Sequence, residues 1–246
     1  MTSQTPVATR YQLRCLHKEL ALAPSEVHAW FVDLRLDSEW LSELRPTLSA
    51  DEEKRAQRFR STVDKERFIA SHGVLRTLLA RYTLQRPEQL SFAEGQNGKP
   101  ALAPGSNEKD IQFNLAHSGD HALIAIAAGR EAGVDIERVV QQDDHERIAR
   151  RFFSSRELAS FLGYPNTQRT EAFFRHWVRK EAYLKARGLG LTRHEEGFDV
   201  PLTEEKVSMF AHVDGTTWTA REILPVPGYT AAVVAQGADW RLRSFD

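Results

Sequence analysis

Asp135 and Glu137 stand two positions apart in AGVDIERV, residues 132–139. In a β-strand, side chains two apart share a face. Val134 and Ile136 then pack one way while both carboxylates point the other way, side by side. Like charges that close repel, so the pair needs water or a compensating cation. A third carboxylate lies downstream. In TEAFFRHWVRKEAYLKAR, Phe174, Trp177, Glu181 and Leu184 fall at i, i+3, i+7 and i+10, on the apolar face of a helix. An isolated buried carboxylate is costly or becomes neutral, and a bound cation resolves the conflict. Asp135, Glu137 and Glu181 together suit one hard divalent ion, Mg²⁺ or Mn²⁺. Taken singly, each has a plainer reading. Asp-x-Glu is usually a solvated strand face, and Glu181 with Lys185 is an i, i+4 surface pair of about 0.3–0.5 kcal/mol. The combination carries the metal reading.

Such a site normally serves phosphate, so cations and turns matter next. In NGKP, Gly98 lets the backbone approach a ligand closely, Lys99 follows it, and Pro100 fixes the chain beyond. In NLAHSG, His117 and Ser118 sit at the end of a strand, where a ring nitrogen and a hydroxyl can reach an anion. Arg55 and Arg67 fall on helices of the first half. A hairpin turn, an idle turn histidine and two solvated arginines are the plainer readings. No GxxxxGK[ST] loop and no GxGxxG fingerprint occurs.

The elements that must carry these residues can be read from periodicity. VHAWFVDLRL, residues 27–36, is β-branched and aromatic and predicts a strand. Ser49 with Glu52, and Ser154 with Glu157, are capping-box patterns that open helices. Residues 64–82 and 170–187 predict two long amphipathic helices, the second stopped by Gly188 and Gly190. Asn97-Gly98 marks a turn. IQFNLAH and HALIAIAA read as strand, tight turn, strand, and Gly129 and Gly133 bracket a second turn before VDIERV. KVSMFAHV, TTWTAREI, GYTAAVVAQ and WRLRSF read as strands of the second half. Each half gives one long helix and several antiparallel strands, and HALIAIAAG resembles YTAAVVAQG. The expected fold is therefore α+β, a pseudo-two-fold duplication into lobes 1–130 and 131–246. Each lobe packs a long helix on a small, mainly antiparallel sheet, with the ligand site in the cleft between them.

The 246 residues are 41% hydrophobic and 27% charged, with net charge −1. That is an ordinary globular composition with no global pull toward nucleic acid or membrane. A single cysteine, Cys15, excludes an internal disulfide and fits a reducing compartment. No stretch has the length of a membrane span or of a signal-peptide core. The expectation is a cytoplasmic protein, with no nucleic-acid or membrane partner.

Taken in order, NGKPAL, FNLAHSG, GVDIE and WVRKEAYLKARGLGL closely resemble the motifs of the Sfp-type 4′-phosphopantetheinyl transferases. The resemblance runs from about Ser49 to Leu191. The last two motifs are the most specific. It implies transfer of the phosphopantetheine arm of coenzyme A to a serine hydroxyl of an apo acyl or peptidyl carrier protein, with release of 3′,5′-ADP. It implies that Asp135, Glu137 and Glu181 hold Mg²⁺ against the pyrophosphate and that Lys185 contacts the transferred phosphate. Gly98, Lys99 and Pro100 would line the adenine side. His117, with Ser118 beside it and Arg55 and Arg67 nearby, would approach the 3′-phosphate. One departure is that many members have Ser-His where this chain has Ala116-His117, so Ser118 or backbone must replace that serine hydroxyl.

On this reading catalysis rests on positioning and charge neutralisation. Glu181 is the candidate base for the incoming serine, directly or through a water held at the ion. Carrier proteins of this kind are acidic, and Arg147, Arg150, Arg151 and Arg156 offer a basic surface, although acids are interspersed among them. Two lobes in one chain predict a monomer. Another Mg²⁺-dependent phosphate enzyme would use the same carboxylates but leaves GKP and W-x-x-K-E-A-x-x-K unexplained. A non-catalytic binding module would tolerate loss of a carboxylate or of Lys185, yet all four are present. A purely structural domain leaves Glu181 without a partner.

Overall fold

A computed structural model describes residues 20–95, 98–105, 107–141, 144–189, 199–201, 206–211 and 214–245. Ten strands and six α-helices lie within them. In chain order these are β1 (Glu26–Asp33), α1 (Ser38–Leu44), α2 (Ala50–Gln57), α3 (Thr62–Thr83), β2 (Phe92–Glu94), β3 (Pro100–Leu102), β4 (Ile111–Ser118), β5 (His121–Ala128) and β6 (Ala132–Arg138). There follow α4 (His145–Phe152), α5 (Ser155–Leu162), α6 (Arg169–Ala186), β7 (Val207–Ala211), β8 (Thr217–Ile223), β9 (Tyr229–Gln236) and β10 (Arg241–Phe245). Among the described residues no helix is long and apolar enough to cross a membrane.

Two four-stranded sheets, ordered β10-β1-β5-β4 and β6-β9-β8-β7, form the centre, and β2 and β3 make a separate hairpin. Alternation along the strands sorts the core into layers. On one face of the first sheet Trp30, Val32, Phe113, Ile124 and Ile126 pack against Val74, Leu75, Leu78 and Leu79 of α3. Ala29, Phe31, Leu123, Ala125 and Ala127 on the other face meet Val134, Ile136, Ala231 and Val233 of the second sheet. The far face of the second sheet, with Trp218, Ala220, Ala232 and Val234, packs on Val178, Ala182, Tyr183 and Ala186 of α6. The result is helix, sheet, sheet, helix: two helix-on-sheet units back to back, as the duplication predicts. The two similar segments become β5 and β9, each inside its own sheet.

Both capping boxes form. Ser49 accepts from the Glu52 N–H, Ser154 from the Glu157 N–H, and each glutamate returns the bond to its serine's N–H. The helix starts are thus legible because the donors that need caps lie within four residues of them. The helix predicted over 64–82 runs from Thr62 to Thr83, and the one over 170–187 from Arg169 to Ala186. Gly188, at φ +67, ends the latter; Gly190 lies outside the described residues, as does Asn97.

Two expectations change. Gly133 is inside β6 rather than in the turn before it. A Cβ there would lie 2.2 Å from the Ala182 carbonyl oxygen and 2.3 Å from the Ala186 nitrogen. The glycine lets α6 rest directly on the strand, a role an isolated strand glycine often has. The C-terminal WRLRSF segment does not complete the second sheet. As β10 it pairs in parallel with β1, Glu26 opposite Arg241 and Trp30 opposite Phe245. Phe245 stacks on Trp30 with centroids 4.3 Å apart. Periodicity fixes a strand but not its neighbour, and here the end of the second half crosses back to the first sheet.

Candidate active site

The sheet edges β4 and β6 run beside each other at the junction of the two units. The Val134 N–H donates to Asn114 Oδ1 at 2.9 Å, and Ser118 Oγ donates to Glu137 Oε2 at 2.8 Å. The Arg138 N–H donates to Ser118 Oγ in turn. Ser118 therefore pins the end of β6 and holds Glu137, a more specific task than reaching an anion.

Gly133, Asp135 and Glu137 share the β6 face that meets α6. Because α6 sits so close at Gly133, one further pair of residues along the strand brings Asp135 beside the helix. Lys185 Nζ donates to Asp135 Oδ1 at 2.5 Å. The partner of Lys185 is thus the strand carboxylate, not Glu181 one helical turn back. Asp135 and Glu181 are both buried, at 4% and 8% exposure. Glu181 interrupts a buried stripe, as its spacing predicts.

Electrostatics follow from that burial. Desolvation pushes the Asp135 carboxyl up to about 7; Lys185 opposes the shift, and Glu137 and Glu181 add to it. Desolvation also raises Glu181, with Lys185 opposing and Glu137 adding. Glu137 is raised by desolvation against the Ser118 hydrogen bond and Lys185. Three carboxylates thus feel one another in a poorly solvated space.

Among the described residues no three His, Cys, Asp or Glu side chains form a closed set of metal ligands. Lys185 engages one Asp135 oxygen and Ser118 one Glu137 oxygen. The remaining chemistry nonetheless fits a hard cation. Asp135 Oδ2 and Glu181 Oε1 are buried without a hydrogen-bond partner, an arrangement costly for a carboxylate and suited to an oxygen-seeking divalent ion.

On the α3 side of β4, His117 reaches solvent. Desolvation pushes its imidazole down, and the His72, Lys185, Arg67 and Arg55 charges push the same way. Arg55, Arg67 and Lys185 make a cationic surround for His117, suited to an anion. Arg67 donates to Asp120 at 2.5 Å and Asp64 at 3.3 Å. The Arg55 guanidinium sits 5.3 Å from the Phe68 ring centre. His72, absent from the sequence reading, stacks on Phe68 at 4.0 Å and bonds Glu52 at 3.0 Å. The Phe68–His72 i, i+4 spacing was the available signal.

Gly98 has φ +83, as a turn glycine should, and Pro100 begins β3. The Lys99 side chain turns inward, donating to the carbonyls of Ala132 at 3.0 Å and Ala186 at 2.9 Å. Of the four surface arginines, Arg147 pairs with Asp144, Arg150 with Glu146 and Arg156 with Asp199. Arg151 lies over Phe152. Much of the expected basic surface is therefore neutralised by its own acids.

Comparison with known proteins shows the family. The profile of the 4′-phosphopantetheinyl transferase superfamily matches residues 131–234, and that of the 4′-phosphopantetheinyl transferase N-terminal region matches residues 36–129. The 4′-phosphopantetheinyl transferase HetI of Nostoc sp. is 36% identical over 90% of this chain and 92% of its own. The L-aminoadipate-semialdehyde dehydrogenase-phosphopantetheinyl transferase of Xenopus laevis is 30% identical over 76% of this chain and 67% of its own. The 4′-phosphopantetheinyl transferase Sfp of Bacillus subtilis is 25% identical over 87% and 94%.

Proposed function

We infer the reaction from one premise: the chain belongs to the 4′-phosphopantetheinyl transferase family. It is a transferase that takes the phosphopantetheine arm from coenzyme A to a carrier protein. The acceptor is the serine hydroxyl of an apo acyl or peptidyl carrier protein, from fatty acid, polyketide or nonribosomal peptide assembly. The by-product is 3′,5′-ADP. The observation that carries the site assignment is the Lys185–Asp135 ion pair, with Asp135 and the neighbouring Glu181 both buried where β6 crosses α6.

Asp135, Glu137 and Glu181 are the residues that would hold Mg²⁺, with Mn²⁺ as substitute. When bound, the ion supplies charge neutralisation on the pyrophosphate. Lys185, already within the carboxylate cluster, orients and offsets charge on the phosphate being transferred. Glu181 receives the proton of the incoming serine, directly or through a water. A carboxylate that also holds the ion would be a poor direct base, which favours the route through a water. The serine Oγ–phosphorus bond forms as the bond from phosphorus to the 3′,5′-ADP oxygen breaks. His117, with Arg55 and Arg67, receives the 3′-phosphate. The backbone of Gly98, Lys99 and Pro100 lines the adenine side. We assign 1–130 and 131–246 as the two lobes, with β10 exchanged onto the first sheet, and a monomeric, cytoplasmic protein.

The test is intact-mass spectrometry of an apo carrier protein incubated with the enzyme, coenzyme A and Mg²⁺. A gain of one phosphopantetheine that EDTA abolishes is expected. No gain across acyl and peptidyl carriers, with coenzyme A still bound, would overturn the reading.

A further inference from the structure

Lys99 occupies an unusual place for a cation beside a phosphate site. Its ammonium does not face the cationic surround of His117. It is half-buried and donates to two backbone carbonyls on different elements, Ala132 at the start of β6 and Ala186 at the end of α6. The last carbonyls of a helix need partners from outside it. Those of Tyr183, Leu184 and Lys185 are met by the N–H groups of Arg187, Leu189 and Gly188, and Lys99 reaches Ala186. A cation there also suits the negative end of the helix.

The two carbonyls flank the catalytic machinery. Ala132 is three residues before Asp135, and Ala186 directly follows Lys185. Between them α6 lies against Gly133 with no room for a side chain. The register of that contact sets where Asp135 and Glu137 stand relative to Glu181 and Lys185. We propose that the Lys99 side chain is a positioning residue for phosphoryl transfer, a clip from the β2–β3 hairpin that locks β6 to α6. It acts through Asp135 and Lys185 rather than by touching coenzyme A. The proposal rests on the transferase reading and assigns the side chain a task separate from the backbone lining of the adenine side.

The test compares wild type, Lys99→Met and Lys99→Arg, in transfer kinetics and in coenzyme A binding by calorimetry. A clip predicts a kcat lowered roughly 10–100-fold in K99M, the loss that a misplacement near 1 Å produces. Coenzyme A affinity stays within about threefold, and K99R, which can still donate to both carbonyls, recovers a large part of kcat. A coenzyme A affinity that falls in step with kcat/KM would mean direct ligand contact and overturn the proposal. So would an unchanged kcat with a lowered melting temperature, which marks a folding tie alone. A second measurement needs no variant. In ¹⁵N-lysine-labelled wild type, the Lys99 ammonium signal should be protected before coenzyme A is added and unmoved by saturation. A ligand-induced change in its ¹⁵N shift or exchange would overturn the clip. An inactive wild type refutes the transferase reading itself, whereas an active wild type with an equally active K99M refutes only the clip.

Discussion

At the scale of single residues, burial gives ordinary side chains unusual properties. Glu181 and Asp135 sit in poorly solvated positions with raised pKa values and orphaned oxygens. Glu181→Gln keeps the shape and removes the charge. It is expected to lower kcat at least about a hundredfold while coenzyme A affinity, measured by calorimetry, changes little. His117 is held below its ordinary pKa by desolvation and by the neighbouring Lys185, Arg67 and Arg55 charges, so in the free protein at neutral pH it is uncharged. A bound phosphate dianion favours the imidazolium, so binding takes up a proton. Coenzyme A affinity should therefore rise as pH falls from neutrality toward the lowered pKa of the free imidazole. Dephospho-coenzyme A should show much less of this dependence. His117→Ala should remove it and weaken coenzyme A roughly ten- to a hundredfold, the worth of a charge-assisted hydrogen bond.

At the scale of elements, the decisive contact is α6 on β6. A methyl at position 133 would collide with helix backbone on both sides of the Ala182–Ala186 turn. Gly133→Ala must separate helix from strand, costing about 1–3 kcal/mol. Transfer activity should fall further than the folded fraction, as parallel denaturation and rate measurements would reveal. A second device anchors the other side of α6. Glu157, buried at the start of α5, accepts from Lys180 Nζ at 2.7 Å and from the Val200 N–H at 3.0 Å, with His176 3.5 Å away. Burial alone would raise its pKa, but the His176 and Lys180 interactions outweigh that and hold it at about 2. Glu52 is also held at about 2: burial opposes the shift, and the His72 bond, the Ser49 N–H and Arg76 outweigh it. Both carboxyls have folded pKa values below their unfolded ones. Their stabilisation is complete above the unfolded value of about 4.5 and is lost as pH falls toward 2. Urea midpoints should drop through that window, and Glu157→Gln should flatten the drop while lowering stability at neutral pH.

At the scale of the whole molecule, the sheets share an apolar layer and the chain's last strand closes on its first sheet. Trp30 and His28 both meet Phe245, and Tyr82 bonds both Trp30 and His28. The C-terminal strand is thus tied to the core of the first unit after the chain has built the second. Phe245→Ala should cost about 2 kcal/mol, less than a fully buried phenylalanine because Phe245 is only half-buried. Both units should unfold in one transition, since neither keeps its inner sheet face covered alone. A melt followed by tryptophan fluorescence and by circular dichroism checks this. Divergent midpoints would show independent lobes.

The sequence by itself determined the parts whose causes are local. Capping boxes lie within four residues, helical and strand periods repeat every few residues, and the glutamate in an apolar stripe is visible on a helical wheel. The ordered motifs carry the family resemblance. What the sequence left open depends on contacts between residues far apart in the chain. Gly133 read as a turn because its reason, the backbone of α6, lies some fifty residues downstream. Lys99 read as part of a turn lining the adenine side, and the carbonyls that hold its ammonium belong to the distant residues 132 and 186. Lys185 had a plausible partner in Glu181 one turn away, yet close helix–strand packing delivered it to Asp135. The final strand carried no mark of which sheet it would join. Local chemistry fixes what each segment is, and only the packed structure decides which segments meet.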